Sequence, residues 1–218
     1  MHESMTPIIP EPSPAPARSK LLDVALRVLR EKGYNGITVD ELCAAAGVTK
    51  GAFFHHFKSK EDMAVAAADH WSSVTGEMFT QAAYHRSADP LDRVLGYLDL
   101  RASLIRGAPA EFSCVAGTMT QETFLSHPQI RQACAASIIG HARTLEQDLA
   151  EAIDKYQPLG GLTAHGLAIH TQAVLQGAFI LAKAADDPQV AVDSVLHLRR
   201  YFELLFASKP EEDPRHAT

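Results

Sequence analysis

The feature that most constrains this chain is the segment at residues 38–60, TVDELCAAAGVTKGAFFHHFKSK. Hydroxyl side chains stand where helices would begin, at Thr38, Thr49 and Ser59, because Ser and Thr oxygens accept hydrogen bonds from the N–H groups of a first helical turn. Gly47 supplies a turn between the first two helices. Two short helices joined by such a turn predict a helix-turn-helix, a motif that binds DNA.

Apolar side chains of this segment are expected to hold it against the rest of the chain. Glu41 follows Thr38 by three residues, which is the capping-box pattern and strengthens the first helix start. The positions predicted to point inward are Leu42 and Ala45 in the first short helix and Phe53 and Phe57 in the second. The remaining side chains of the segment are expected to face outward, where they can contact DNA.

Charge is unevenly distributed along the chain. The formal net charge is −6, which by itself disfavours binding to a polyanion. Residues 18–60 nevertheless hold eight Lys or Arg against four Asp or Glu, a net +4, whereas residues 61–218 carry −8. The positive charge therefore lies in the segment that also carries the motif, as expected for the electrostatic footprint of a DNA-binding protein.

The pattern elsewhere predicts an all-α fold. An aromatic share of 7% together with many Ala and Leu residues favours packed helices over sheets. Apolar residues recur at helical spacing and predict one long helix from Ser59 to about Tyr84 and another from residue 128 to about Tyr156. Between them we expect a helix at 89–105, a break at 107–112 and a short helix at 114–124.

The last two predicted helices carry apolar residues in steps of three and four, which are typical of helices in a four-helix bundle. Two helices supply half of such a bundle, and the same pair from a second subunit would complete it. The residues assigned to this dimer interface are Val174, Gly177, Leu181, Val195, Leu198, Phe202 and Leu205.

Composition suggests four regions. We expect a disordered Pro-rich arm at 1–17, a helix-turn-helix DNA-binding domain at 18–64, a ligand-binding and dimerisation domain at 65–208, and a disordered tail at 209–218.

Targeting and redox signals point to the cytoplasm. No apolar run approaches the roughly 20 residues that a membrane-spanning helix needs, and the start of the chain lacks the basic-then-apolar order of a signal peptide. Cys43, Cys114 and Cys134 are scattered, which argues against a disulfide framework or a zinc module and fits a reducing compartment. We expect no membrane partner.

Residues 18–67 resemble the DNA-binding domain of the tetracycline-repressor (TetR) family of bacterial transcriptional regulators. The residues that carry the resemblance are Thr38, Leu42, Ala45, the run AGVTKG at 46–51 and the run FFHHFKSKE at 53–61. The resemblance implies about nine helices, with an N-terminal three-helix DNA-binding domain and a C-terminal helical domain for ligand binding and dimerisation. It further implies a homodimer that binds a palindromic double-stranded DNA operator and releases it when a small-molecule effector enters the C-terminal domain.

The second helix of such a motif enters the major groove by its N-terminal end. Gly51 and Ala52 are small, so the backbone can approach base edges, and Lys50 can reach a guanine or a phosphate. Phe54 departs from the Tyr that the family often has there and keeps only the ring for packing. The predicted DNA-binding residues are Thr38, Thr49, Lys50, Gly51, Ala52, Phe54, His55 and Lys60.

An effector pocket is expected between the fourth and eighth helices if the resemblance extends that far. His141 interrupts an apolar stripe, and a polar group there needs a partner, either another side chain or a ligand. Such a mixed pocket suits a small aromatic or lipid-like molecule. The predicted lining residues are His70, Trp71, Val74, Met78, Leu98, Phe112, Cys114, Met119, Phe124, His141 and Leu145.

The sequence also bears on three other function classes. Cys114 stands at a predicted helix start, which favours the reactive thiolate, so the chain could sense electrophiles or oxidants; a buried core cysteine is the alternative. An architectural DNA-binding protein would show a longer basic stripe and no large acidic domain. An enzyme is disfavoured because the sequence lacks the His-Glu-x-x-His, paired-Cys, nucleophile-elbow and phosphate-loop motifs. We therefore expect no catalytic residue, metal or cofactor.

Overall fold

The computed structural model describes residues 17–158 and 160–207, and these residues are mostly helical and contain no β-strand. The helices are α1 Ala17–Lys32, α2 Val39–Ala46, α3 Lys50–His56, α4 Lys60–Thr80, α5 Pro90–Leu104, α6 Pro109–Phe112, α7 Val115–Thr123, α8 Pro128–Arg143, α9 Glu146–Tyr156, α10 Ala164–Ala185 and α11 Pro188–Leu205. A 3-10 helix, Ala83–Arg86, joins α4 to α5. The all-α prediction is confirmed. The predicted arm and tail lie outside the described residues, apart from Ala17, which begins α1.

The predicted helix starts are present in the head, which we define as α1, α2 and α3. Thr38 Oγ1 accepts a hydrogen bond from the N–H of Glu41 at 3.2 Å, and Glu41 Oε2 accepts one from the N–H of Thr38 at 2.8 Å, which completes the capping box. Thr49 Oγ1 accepts from the N–H of Ala52 at 3.1 Å. Gly47 ends α2 at φ +64°, a left-handed conformation that glycine adopts without steric cost.

The inner face of α2 differs from the prediction at one position. Leu42 is buried, as are Phe53 and Phe57 further on, but Ala45 is exposed. The buried neighbour of Leu42 is Cys43, and a helix turns by about 100° per residue, so the inward face is centred between these two. Ala45 then points to solvent.

Three helix boundaries also differ from the prediction. α4 ends at Thr80 rather than near Tyr84, and the expected break at 107–112 contains the one-turn helix α6. The expected helix from 128 to Tyr156 is divided into α8 and α9. At the division the Thr144 hydroxyl donates to the carbonyl of His141 at 2.7 Å, and Leu145 N–H bonds to the carbonyl of Ala142, three residues back, at 3.0 Å. A side chain that bonds its own backbone in this way competes with the helical ladder.

One apolar core extends across the predicted boundary between residues 64 and 65. It joins buried side chains of the head and the first half of α4 to those of α7 and α8. Leu29 of α1 and Met119 of α7 are both fully buried in it. A second core unites α5, α9, α10 and α11. The head therefore shares its core with the C-terminal part of the chain.

A polar junction at the end of α1 fixes the head on α7. Gly33 has φ +73°, and the N–H of Asn35 donates to Glu122 Oε2 at 2.8 Å. From α10, the Lys183 ammonium donates to the carbonyl of Arg30 at 3.1 Å and lies 3.1 Å from Thr118 Oγ1. These contacts join α7 and α10 directly to the C-terminal end of α1 and the residues that follow it.

The predicted dimer seam is wrong for three of its residues. Val195, Leu198 and Phe202 are 0%, 3% and 0% exposed within the single chain, so they cannot contact a second copy. They pack in the second core, because α11 also lies against α5 and α10 and turns its most apolar stripe toward them. Leu181 is 57% exposed, and Val174, Gly177 and Leu205 are half-buried. The large apolar side chains that α10 and α11 leave outside are Ile180, Leu181, Leu196, Tyr201 and Leu204.

Within the described residues, none of the helices combines the length and the apolar character needed to cross a membrane.

Gly33→Ala should destabilise the protein more than Gly47→Ala. Both glycines have positive φ, so alanine strains either backbone by roughly 1–2 kcal/mol. At Gly33 the added Cβ would lie 1.7 Å from Glu122 Oε1, whereas at Gly47 nothing lies within 4 Å. Moving Glu122 breaks its hydrogen bond to Asn35, which adds about 1–3 kcal/mol to the cost of Gly33→Ala. The measurement is the free energy of unfolding in urea.

The control is the same pair of substitutions in a Glu122→Ala background. There the two alanines should cost nearly the same, because no carboxylate remains to be displaced. A difference that persists without Glu122 would contradict the assigned contact.

Candidate nucleic-acid interface and effector cavity

The outward face of α3 presents most of the predicted DNA-binding residues together. Phe53 is fully buried and anchors the helix, which turns its other side to solvent. Exposed along that side are Lys50, Gly51, Phe54 and His55, with Ala52 half-buried beside them. The N-terminal turn of α3 thus combines small residues, which permit close approach, with a cation and an exposed aromatic ring.

Contacts within the head bear on how these side chains could meet DNA. Lys50 Nζ lies 2.9 Å from Asp40 Oδ1, and both side chains are mostly exposed, so this ion pair contributes little stability and can exchange for a phosphate or base. Phe54 is 50% exposed and packs its edge against Phe53, with ring centroids 5.2 Å apart. The ring of Phe54 is therefore held in place while one side remains open.

The two threonines differ in what they can still donate. Thr38 Oγ1 lies 3.0 Å from Glu41 Oε2, so its hydroxyl hydrogen is engaged within the capping box. Thr49 Oγ1 accepts from Ala52, and no hydrogen bond within the described residues takes its hydrogen. Thr49 is therefore better suited to a phosphate than Thr38, whose role is to start α2.

Lys60 does not occupy the predicted position at the DNA surface. Its ammonium donates to the carbonyls of Tyr34 and Ile37 at 2.9 and 3.0 Å and lies 4.3 Å from the centre of the Tyr34 ring. Burial lowers the pKa of Lys60, with the charge of Glu122 opposing it. The side chain ties α4 to the loop between α1 and α2, and its hydrogen-bonding capacity is largely used there.

A cavity of about 510 Å³ lies between α1, α4, α5, α6, α8 and α10. This volume is in the range of sites for small organic ligands. Six of the predicted lining residues do line it, namely Trp71, Val74, Met78, Phe112, Cys114 and His141.

The other five predicted lining residues are elsewhere. His70 Nε2 lies 2.9 Å from Asp23 Oδ1 and links α4 to α1. Phe124 is 50% exposed on the surface. Leu98, Met119 and Leu145 are buried in the two cores, because the inward face of a helix is wider than the part that borders the cavity.

Several cavity residues were missed because polar side chains on helices are usually interpreted as surface. The sequence contains no signal that separates them from solvated residues. The polar lining residues found in the structure are Arg30, Ser72, Thr75, Arg101, Glu111, Ser137, Thr144, Gln172 and Gln176.

His141 has the side-chain partner that its position requires. Its Nε2 lies 3.0 Å from the hydroxyl of Tyr97, to which Arg101 Nε also donates at 3.0 Å. Burial lowers the pKa of His141 to about 3, and the nearby charge of Arg101 lowers it further. The imidazole is therefore uncharged at neutral pH.

Arg30 connects the cavity to the head. Its Nε donates to the carbonyl of Leu26 within α1, and its Nη1 donates to the carbonyl of Glu111 at 2.5 Å. The guanidinium lies 5.4 Å from the centre of the Trp71 ring, an arrangement favourable for a cation–π interaction. A molecule that displaced Trp71 would also disturb the end of α1.

Lys60→Met should lower the free energy of unfolding by about 1–2 kcal/mol, because two backbone carbonyls lose their donor. It should leave the salt dependence of DNA affinity unchanged. The matched control is Lys58→Met, since Lys58 is exposed and its ammonium makes no hydrogen bond within the described residues. This control should change stability by less than about 0.5 kcal/mol.

Urea unfolding gives the stabilities, and DNA titration at several salt concentrations gives the slopes. A salt slope that fell by about one for Lys60→Met would return this residue to a phosphate-contacting role.

Comparison with known proteins places these features in a family. Residues 21–67 match the family model described as "Bacterial regulatory proteins, tetR family". The transcriptional regulator AcuR of Cereibacter sphaeroides is 28% identical over 153 residues, which cover 70% of this chain and 68% of that protein. The HTH-type transcriptional repressor NemR of Escherichia coli K12 is 24% identical over 138 residues, covering 63% of this chain and 60% of NemR.

The fold agrees with these sequence matches. A TetR-family transcriptional regulator from Agrobacterium tumefaciens superposes with a TM-score of 0.76 at 18% identity, covering 87% of this chain and 98% of that structure. The helix-turn-helix motif and the all-helical fold thus agree with the sequence relatives, which are regulators of transcription and not enzymes. The chain therefore belongs to the TetR family of transcriptional regulators.

Proposed function

We propose that this protein is a ligand-responsive repressor that binds a palindromic operator as a homodimer and is released by a small effector in the cavity. The observation that carries the proposal is the outward face of α3. Gly51, Ala52 and Lys50 lie at its N-terminal end, and Phe53 holds the helix from behind. Such an end can enter the major groove closely enough for side chains to reach base edges.

The open faces of α10 and α11 support pairing of two copies. Leu181 and Leu204 are 57% and 72% exposed, although both belong to helices whose other sides are fully buried. Two such helix pairs packed together would form a four-helix bundle and cover these side chains. A two-fold dimer would then present two α3 helices to two half-sites, about one DNA turn apart.

The link between cavity and head supports control by a ligand. α4 begins at the head and lines the cavity through Trp71 and Met78, while Arg30 lines it from α1. A ligand that prefers one arrangement of these helices shifts the population toward it and changes the separation of the two α3 helices. DNA affinity then depends on whether the preferred separation matches the operator.

Selection of bound sequences from a random DNA pool tests the proposal directly. We expect one short palindrome, with protection of two half-sites in a footprint. Protection of DNA without fixed register would support an architectural protein instead and would contradict the proposal.

Leu181→Glu should convert the dimer to a monomer and weaken operator binding at least tenfold, because it places a charge in the apolar contact. Light scattering after size-exclusion chromatography measures the mass. Leu125→Glu is the matched control, since Leu125 is 81% exposed but lies outside α10 and α11, and it should remain dimeric. A Leu181→Glu protein that stays dimeric would exclude this surface.

A second function is supported by the surroundings of Cys114. This cysteine lines the cavity at the start of α7, where Sγ accepts from the N–H of Gly117 at 3.3 Å. Cys114 is half-buried at the cavity wall, whereas Cys43 and Cys134 are buried, so its thiol is the one that a small electrophile or oxidant could reach. Modification there would add a group inside the effector cavity.

Cys114→Ser separates the two functions. If the thiol is the sensor, an alkylating agent such as N-ethylmaleimide should release operator DNA from the wild-type protein and not from Cys114→Ser. Cys134→Ser is the control, because Cys134 is fully buried and burial raises its pKa to about 11. Release from both variants alike, or a Cys114 that mass spectrometry finds unmodified, would reject thiol sensing.

A further inference from the structure

Three charged side chains line the cavity, and two of them are already satisfied. Arg30 bonds the carbonyls of Leu26 and Glu111 and lies over Trp71. The Glu111 carboxylate accepts from the N–H of Ala108 at 3.0 Å and caps α6. These contacts hold the wall between α1 and α6 together. Arg101 is then the one charged lining residue, among those described, that has no charged or carbonyl partner.

Arg101 extends from α5 into aromatic surroundings. Its guanidinium carbon lies 4.8 Å from the centre of the Phe79 ring and 5.5 Å from that of Tyr97. Its Nε donates to the Tyr97 hydroxyl at 3.0 Å. Within the described residues, no ion pair involves Arg101 and no hydrogen bond uses its Nη1 or Nη2. The planar fork of donors that matches a carboxylate is therefore unused.

The hydrogen bonds around Tyr97 set the direction of the neighbouring donors. Arg101 Nε can only donate, so the Tyr97 oxygen accepts from it and turns its own hydrogen toward His141 Nε2, 3.0 Å away. Gln172 Nε2 approaches the same hydroxyl at 3.5 Å. His141 is thereby held with its hydrogen on Nδ1, and its neutrality leaves Arg101 as the cation of this end of the cavity.

We infer that the effector is an organic anion, a carboxylate on an apolar body, whose two oxygens pair with Nη1 and Nη2 of Arg101. Within the described residues no acidic side chain pairs with this guanidinium, and a bound carboxylate would accept two charge-assisted hydrogen bonds from its fork. The inference rests on the proposed function, because it names the chemistry of the ligand that the cavity would bind.

The other residues that line the cavity indicate the chemistry of the rest of the ligand. Apolar side chains from α4, α5, α6, α8 and α10 form much of the remaining wall, and the two other charged residues there, Arg30 and Glu111, are engaged with the protein itself. A volume of about 510 Å³ accommodates an aromatic or medium-chain aliphatic group. The apolar lining residues that would contact it are Trp71, Val74, Met78, Phe79, Phe112 and Phe179.

Trp71 gives a direct readout, because it is the single tryptophan of the chain and borders the cavity. The full-length protein is titrated with benzoate, phenylacetate, hexanoate and decanoate, and with the primary amide of each, while Trp71 fluorescence is followed. Acid and amide have nearly the same shape, so the difference between their affinities measures the effect of the ligand's negative charge. We expect at least one acid to bind about tenfold to a hundredfold more tightly than its amide.

Substitutions assign that preference to Arg101. Arg101→Gln should reduce the ratio of acid to amide affinity to less than about threefold, whereas Arg106→Gln should leave it unchanged, because Arg106 is exposed and does not line the cavity. Arg101→Lys keeps the charge but loses the fork, and its ratio should lie between those of wild type and Arg101→Gln. If Arg101→Gln does not fold, Arg101→Lys decides, and an unchanged ratio overturns the inference.

The outcomes distinguish this inference from the proposed function. A series in which no acid binds more tightly than its amide, including one in which neither binds, overturns the anion inference. Operator release is measured separately on the same compounds. Release by neutral compounds alone would support the ligand-responsive repressor and reject the anion, whereas acids that bind at Arg101 without releasing DNA would support the anion and reject effector control.

Discussion

The apolar face of α1 packs against α2 and α3 on one side and against α7 on the other, in one continuous core. Leu29 and Met119 are fully buried in it from opposite sides. Since apolar burial is the main favourable term in folding, the DNA-binding helices cannot reorient without disturbing α7 and α8. The position of α3 relative to α7 and α8 depends on this shared core.

Polar contacts at the edge of that core determine which cations remain for function. Lys60 is held by two carbonyls, Lys183 by a carbonyl and a hydroxyl, and Arg30 by two carbonyls and an indole ring. Their chemistry is used to fix α1, α4 and α10 relative to one another. Lys50 and Arg101 are different, because the first has only an exposed ion pair and the second has an unused guanidinium fork. One is suited to DNA and the other to an anion.

Local signals predicted the head well. The capping box at Thr38, the Thr49 cap and the buried Phe53 depend on residues within three or four positions of one another, so the sequence contains the whole interaction. Prediction was weaker wherever distant elements compete for one residue. Ala45 faces outward, and Val195 and Phe202 lie in the core of the single chain instead of the predicted dimer seam. Periodicity identifies an apolar face but not the element that covers it.

The sequence alone determined the helical class, the helix-turn-helix and the outward residues of α3, since caps, turns and apolar spacing act over short distances. Only the tertiary structure decided that the Lys60 side chain bonds the backbone of the head instead of pointing toward DNA. It also decided that Arg101, Gln172 and His141 meet at the hydroxyl of Tyr97 beside a cavity. These residues lie far apart in the chain and resemble surface positions by pattern. Their chemistry arises only when α5, α8 and α10 pack together and bring these side chains within hydrogen-bond distance of one another.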